Sequence, residues 1–332
     1  MRWPLVMVVC ALPTLAAAQP RLPIPIRGQQ PEPTPAERAF SQGDTLLQRG
    51  DFTGALPHFE AARRLDPRDP RPVFYLGEVS FRQGQFAQAE PLFREAIRLN
   101  PAMAEAHAEL GATLRALRRL DDAVAALREA IRLAPSLGEA HQALGLCLEE
   151  RGALAEAIVA YRNAARHLRD DPAPLLSLAA ALASARPAGG SPAHTEALQS
   201  LREAVRRADR DAASLAEAGP LLRQLGDAPG AVRALSRARA LQSPPSPVTL
   251  GELAQAHAAA NQLAQAETRI TEALGLRPND AGLHYLHALI RLAARDTAGA
   301  IAALQACLRL EPTGERATRA RARLTALGRP ER

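Results

Sequence analysis

The sequence predicts an all-α protein in which eight helix–turn–helix units stack into a solenoid and a further helix closes the stack. Residues of similar size return in fixed columns about every 34 positions, and a fixed period of about 20 to 50 residues is typical of repeat architectures. Alanine, leucine and arginine dominate the 332 residues, and aromatic residues contribute only 3%. This composition favours helices over sheets.

The first 18 residues predict a secretory signal peptide. Arg2 gives a positive start, an apolar run extends from Pro4 to Leu15, and three alanines at 16–18 offer a cleavage site. The apolar run is too short to cross a membrane as a helix, and a buried first helix, the alternative, would need a polar face that is not visible here. We therefore expect cleavage after Ala18, export to the periplasm or out of the cell, and no membrane span in the remaining chain.

Residues 19–35 predict an extended linker. This stretch contains six prolines, which hold the backbone extended and exclude a helix. A proline-rich ligand for a partner domain is the alternative use of such a sequence. We interpret the stretch as a spacer between the cleavage site and the folded body.

Four columns and a closing proline define the eight units. A small residue recurs in the first helix: Gly43, Gly77, Gly111, Gly145, Ala179, Gly219, Ala254 and Ala288. An alanine recurs early in the second helix: Ala55, Ala89, Ala123, Ala157, Ala197, Ala231, Ala266 and Ala300. A large apolar residue follows: Phe59, Phe93, Leu127, Tyr161, Leu201, Leu235, Ile270 and Leu304. A second small residue comes next: Ala62, Ala96, Ala130, Ala164, Ala204, Ala238, Ala273 and Cys307. Five units end in a proline: Pro67, Pro101, Pro135, Pro278 and Pro312.

Each column has a packing role. Small residues let two antiparallel helices approach closely, and the large residue is expected to fill the space between one hairpin and the next. Proline ends the second helix because it lacks the backbone donor of a helix interior. Gly50, Gly84, Gly152 and Gly226 mark the turn within the hairpin, where a positive φ costs little only in glycine.

The columns also set the predicted boundaries and show where units depart from the pattern. The units fall at 36–69, 70–103, 104–137, 138–171, 172–211, 212–246, 247–280 and 281–312, followed by a capping helix and tail at 313–332. Arg118 stands where the third unit would carry its turn glycine, and the fifth unit carries an insertion at 186–195 in its turn. The final helix is rich in arginine. We interpret it as a solvated cap, with contact to an acidic partner or to anionic lipid headgroups as the alternative.

This pattern resembles the tetratricopeptide repeat, in which a unit of about 34 residues folds as a helix–turn–helix. The second unit carries the best match, at Leu76, Gly77, Ala89, Phe93, Ala96 and Pro101. The resemblance spans roughly 36–312. It implies a right-handed superhelical solenoid whose first helices line a concave groove for extended peptides or partner helices.

Carried over by register, the groove implied by the resemblance holds Phe40, Phe74, Phe81, Arg82 and Arg115. Aromatic side chains with arginine at their edge are typical of a peptide anchor. The alternative is that Phe74 and Phe81 pack between units. The Lys/Asn set with which some members of the family hold a C-terminal carboxylate is not matched here.

No pattern for catalysis or cofactor binding stands out. The sequence has no nucleophile elbow, no Cys–His pair in a catalytic context and no phosphate-binding loop. His284 and His287 share a helix face at a spacing that metal ligands use, but the repeat places them in core or near-core columns, and no cysteine cluster accompanies them. We predict no catalytic residue, no metal site and no cofactor. Cys147 and Cys307 are expected to be buried small residues rather than a disulfide.

The charge pattern and the repeat together indicate the class of function. All 41 basic residues are arginine and the formal net charge is +6, but 35 acidic residues are interleaved, which argues against a nucleic-acid binder. We expect a non-enzymatic scaffold, exported to the cell envelope, that binds protein or peptide partners along its groove. The alternative is an accessory factor of the machinery for cell-wall or polysaccharide biogenesis or secretion.

Overall fold

The fold is described by a computed structural model for residues 32–185 and 187–328. Within these ranges the chain forms seventeen α-helices and no strand, which confirms the predicted all-α class. The predicted signal peptide and residues 19–31 of the predicted linker lie outside the described residues. The helices are α1 (Pro35–Gln48), α2 (Phe52–Leu65), α3 (Pro70–Arg82), α4 (Phe86–Leu99), α5 (Ala104–Ala116), α6 (Leu120–Leu133), α7 (Gly138–Glu150), α8 (Leu154–His167), α9 (Ala173–Ser184), α10 (Pro192–Arg207), α11 (Ala212–Gln224), α12 (Ala228–Leu241), α13 (Pro247–Ala259), α14 (Leu263–Leu276), α15 (Ala281–Ala293), α16 (Thr297–Leu310) and α17 (Glu315–Ala326).

Each odd-numbered helix from α1 to α15 packs along the even-numbered helix that follows it, and this gives eight hairpins. We call the odd-numbered helices from α1 to α15 the inner helices and the even-numbered helices from α2 to α16 the outer helices. Neighbouring inner helices also contact one another, as α5 does with α7 and α11 with α13. The last helix, α17, packs on α16 and α15 and caps the stack. The molecule is the predicted solenoid of eight helical hairpins with a C-terminal capping helix. None of the described helices is both long and apolar enough to cross a membrane.

Ion pairs join the outer helices of successive hairpins. Arg63 reaches Glu95 at 2.8 Å, and Arg162 holds both carboxylate oxygens of Glu196 at 2.6 and 2.7 Å. Further along, Arg239 pairs with Glu272 at 2.6 Å. Successive inner helices contact one another directly, whereas successive outer helices lie further apart and are joined by these long side chains. We infer that the stack curves with its inner helices on the concave side.

The small and large columns interlock within each hairpin. All eight large apolar residues of the outer helices are fully buried. The ring of Phe93 lies directly on Gly77, where a Cβ atom would come within 2.8 Å of it, and Leu127 lies in the same way on Gly111. The large residue also reaches the next hairpin as predicted, since the ring of Phe59 stacks on that of Tyr75 with centroids 5.3 Å apart.

Positive φ angles occur at the turns within the hairpins. Gly50, Gly84, Gly152 and Gly226 have φ between 75° and 84°, as the sequence predicts. Three other turns need the same backbone angle but have no glycine there: Arg118, Asn261 and Arg295 have φ of 63°, 58° and 63°. The hairpin geometry thus imposes the left-handed conformation whichever residue the sequence supplies.

Two details differ from the predicted limits of the elements. Pro35, taken as the last linker residue, is the first residue of α1, because Thr34 and Glu37 form a capping box and proline is well suited to a first helical position. The insertion at 186–195 is not confined to the turn. Its residues 192–195 form the first turn of α10, capped by the hydroxyl of Ser191, which accepts a hydrogen bond from the backbone N–H of His194.

Candidate protein-binding surface

The aromatic residues of the first two hairpins form one packed cluster. The Phe40 ring lies 5.5 Å from that of Tyr75, and the Arg71 guanidinium lies 4.8 Å above the Phe40 ring. Phe74 packs at 5.7 Å from Phe93 and is only 9% exposed. Phe40 therefore offers part of its ring to a partner, whereas the position of Phe74 favours the alternative in which it packs between helices.

Phe81 and Arg82 stand at the C-terminal end of α3. Phe81 is half-buried and meets the edge of the Phe86 ring at 5.2 Å. Arg82 is exposed, donates to Glu78 at 2.7 Å, and lies 5.6 Å from the centre of the Phe52 ring. The structure thus brings an aromatic edge and a guanidinium together at one end of this inner helix.

Arg115 belongs to a polar network that joins α5, α7 and α8. It donates to Glu150 at 2.7 Å, while its buried Nε has no hydrogen-bond partner. The fully buried Tyr161 donates its hydroxyl to Glu149 at 2.6 Å. Burial raises the pKa of Tyr161, and the hydrogen bond to the Glu149 carboxylate raises it further. Tyr161 is therefore a neutral hydrogen-bond donor that fixes the position of Glu149 at the end of α7.

Glu78 on α3, Glu109 on α5 and Glu139 on α7 lie on three successive inner helices, close enough for the charges of Glu78 and Glu139 to act on Glu109. Burial raises the pKa of Glu109, the charges of Glu78 and Glu139 raise it further, and that of Arg82 lowers it. The groove that the repeat register predicts did not include Glu109 or Glu139. The recurrence of these three glutamates about every 30 residues, just short of the repeat period, is the signal that could have indicated that they lie near one another.

Several histidine side chains are held by hydrogen bonds within the solenoid. Nε2 of His107, His141 and His284 donates to the carbonyl oxygen of the proline that ends the preceding hairpin, at 3.1, 3.0 and 2.8 Å. His287 points instead to the carboxylate of Glu267, at 2.8 Å. The fold therefore aims His284 and His287 at different groups. In the part of the chain that the structure describes, no group of three or more His, Cys, Asp or Glu could hold a metal ion.

The cysteines Cys147 and Cys307 are buried and free of disulfides. Burial raises the pKa of the Cys147 thiol to about 11. Because the thiolate is the reactive form, this residue is an inert part of the core at neutral pH.

A sequence model of the tetratricopeptide repeat matches four stretches of the chain, residues 40–104, 79–137, 108–174 and 252–315. Together these stretches cover more than half of the sequence. The packing of the hairpins and these matches agree, and the chain belongs to the tetratricopeptide repeat family.

Solved structures share the architecture at low sequence identity. A chain of the APC/C hetero-tetramer Cut9–Hcn1 superposes with a TM-score of 0.52 at 19% identity, over 87% of this chain and 55% of that one. PilF from Pseudomonas aeruginosa superposes with a TM-score of 0.55 at 22% identity, over 66% of this chain and 97% of that one. The chain thus spans about half the length of the Cut9–Hcn1 chain that it matches. These likenesses establish the fold. No curated protein matches the sequence.

Proposed function

We propose that this chain is a non-enzymatic scaffold, exported to the cell envelope, that binds a peptide or protein partner along its inner helices. The observation that supports binding is the inner surface from α1 to α7. It presents the half-buried rings of Phe40 and Phe81 and the exposed guanidinium of Arg82. Aromatic and arginine side chains are enriched among the residues that dominate binding energy in protein interfaces.

The proposal of a non-enzymatic role is supported by what the polar side chains do. His107, His141 and His284 hold backbone carbonyls, and the Cys147 thiol is buried with a raised pKa. Glu149 is held by Tyr161, and Glu150 by Arg115 and Arg118. These groups thus have structural partners, whereas a catalytic acid, base or nucleophile needs access to a substrate.

Export is supported by the N-terminal sequence, whose pattern of charge, apolar run and small residues is typical of a signal peptide. Its test is the mass of the protein isolated from its native cells. Export with cleavage predicts a chain that begins at Gln19 and is recovered from the envelope or the medium. A chain that retains residues 1–18 and stays in the cytoplasm would overturn this part of the proposal.

The binding role is tested by site-specific photocrosslinking. A photoreactive residue is placed at Ala112, on the inner helix α5, or at Ala125, on the outer helix α6. We expect a discrete crosslinked partner from position 112 and not from position 125. A partner that crosslinks from position 125 alone would show that the inner surface is not the one that binds.

A further inference from the structure

Net charge differs between the inner and outer helices of the solenoid, and between its first and last hairpins. The inner helices α1, α3, α5 and α7 carry eight acidic residues and four arginines, a formal net charge of −4. The outer helices α2, α4, α6 and α8 carry seven acidic residues and eight arginines, a net charge of +1. The inner helices from α9 to α15 carry two of each sign, and α17 has a net charge of +3. In a chain of net charge +6, negative charge is thus concentrated on the first four inner helices.

Several carboxylates of these inner helices have no partner of their own. Glu105, Glu109 and Glu139 make no side-chain hydrogen bond or ion pair to any residue that the structure describes. Glu78, by contrast, pairs with Arg82 and Glu150 with Arg115. Glu109 is half-buried between Glu78 and Glu139, with only Arg82 to offset their charge. A cation that binds Glu78, Glu109 and Glu139 would therefore have to displace only one ion pair, the pair between Glu78 and Arg82.

The floor between these carboxylates suits the apolar stem of a long basic side chain. Ala108 is buried, and Ala112 and Ala116 are half-buried along α5. Leu146 of α7 is half-buried beside them in the stack, and Phe81 presents a ring edge on α3. Arginine and lysine bury their methylene groups on such surfaces while the charged end reaches a carboxylate. An aromatic ring adds a favourable contact for a cation.

From this arrangement we propose that the inner surface of α3, α5 and α7 binds a partner segment rich in arginine or lysine, with Glu78, Glu109 and Glu139 as its charge-pairing residues. This inference rests on the proposed function, because it specifies the chemistry of the partner for the same surface. Charge complementarity selects the partner: an acidic segment would meet like charges, and an apolar segment would leave the carboxylates buried without compensation.

The test is binding of labelled twelve-residue probe peptides to the full chain, followed by fluorescence anisotropy. The probes alternate alanine with arginine, with glutamate or with glutamine. We expect the arginine probe to bind more tightly than the other two, and its affinity to fall as salt is added. The triple variant Glu78→Gln, Glu109→Gln, Glu139→Gln should weaken binding of the arginine probe by about tenfold or more, because charged hydrogen bonds across an interface are lost.

The matched control is a triple variant of the outer helices, Glu60→Gln, Glu129→Gln, Glu156→Gln, which changes the net charge by the same amount. Circular dichroism verifies that both variants keep the helicity of the parent chain. We expect the control to bind the arginine probe within about twofold of the parent. Equal weakening by both variants, or tighter binding of the glutamate probe, would overturn the proposal.

Two further outcomes separate this inference from the proposed function. If position 112 crosslinks a partner but the arginine probe does not bind, the basic chemistry is wrong and the scaffold role stands. If position 112 crosslinks no partner and the arginine probe does not bind, both the scaffold role and the basic partner are wrong. Sedimentation velocity tests a second copy of the chain, since α17 is itself rich in arginine. Self-association that the inner triple variant abolishes would overturn the assignment of the surface to a separate partner.

Discussion

The inner helices α5 and α9 occupy equivalent places in hairpins 3 and 5, yet they offer different surfaces. α5 carries Glu105, Glu109 and Arg115, and each of these side chains is at least partly exposed. α9 has no charged residue, and most of its twelve residues are buried. The outer helices behind them keep the same fully buried column, with Leu127 in one and Leu201 in the other. Packing and surface chemistry therefore vary independently along this chain, and function has to be sought where hairpins differ.

The largest expected effect tests whether packing is equivalent in the N-terminal half of the solenoid (hairpins 1 to 4) and in its C-terminal half (hairpins 5 to 8). Leu127 and Leu235 are both fully buried, and each lies on the glycine of its own hairpin, Gly111 or Gly219, where a Cβ atom would come within 2.4 Å of the leucine Cγ. Leu127→Ala and Leu235→Ala should each lower the free energy of unfolding by about 2–5 kcal/mol. Chemical denaturation measures both. A loss below about 1 kcal/mol for one of them would show that the halves are not packed alike.

A smaller effect is expected for the glycine column. A Cβ at Gly145 would lie 2.4 Å from a ring carbon of the buried Tyr161, so Gly145→Ala should cost about 1–3 kcal/mol through overpacking. Gly275 of α14 is the control, because nothing lies within 4 Å of its added Cβ. Gly275→Ala should stabilise by about 0.5–1 kcal/mol. Thermal unfolding of the two variants would contradict the role of the column if their shifts had the same sign.

The turns give a third comparison, between hairpins that have a turn glycine and hairpins that do not. Arg118 is held at a φ of 63°, which costs an L-residue about 1–2 kcal/mol. Arg118→Gly should therefore stabilise by up to about 1 kcal/mol, even though it removes the exposed ion pair with Glu150. Asn261→Gly should raise the free energy of unfolding by only a few tenths of a kcal/mol, roughly, because asparagine tolerates this conformation. Denaturation midpoints check the order, and a larger gain at Asn261 than at Arg118 would be inconsistent with it.

The smallest effect concerns the charged inner surface itself. The pKa of Glu109 is raised in the folded protein by burial and by Glu78 and Glu139, with Arg82 opposing them. Its contribution to stability is thus fully present below the ordinary value of 4.5 and is lost as pH rises through the higher folded value. At pH 7, Glu109→Gln should raise the free energy of unfolding by up to about 0.5 kcal/mol, and the melting temperature should rise with it. Near pH 4 this gain should vanish.

Glu252 of α13 is the matched position in the second half, since it pairs with Arg223 at 3.2 Å. Glu252→Gln should give no gain at pH 7. Melting curves at both pH values decide the matter, and a gain at pH 7 for Glu252→Gln as large as that for Glu109→Gln would contradict a special role for the unpartnered carboxylate.

The sequence predicts the packing of this molecule well, because each column of the repeat has one physical task. The large residues are buried, the turn glycines have positive φ, and even Arg118 was identified as the residue in a glycine position. The surface was harder to predict. Phe74 turns out to be largely buried, and Glu109 and Glu139 were missed, because a register assigns residues to columns one hairpin at a time. Which side chains meet across hairpins depends on the curvature of the whole stack.

The ion pairs between outer helices have a mechanical consequence. The inner helices contact one another directly, in addition to ion pairs such as Arg115–Glu150, whereas the outer helices are joined by pairs such as Arg63–Glu95 and Arg162–Glu196. These pairs are half-buried, and added salt weakens the attraction within each pair, although less than at a fully exposed pair. We therefore expect the outer edge to be more compliant than the inner edge, and the pitch of the stack to change when the ionic strength is raised. The width of the groove that is open to a partner would then depend on the ionic strength of the surrounding medium.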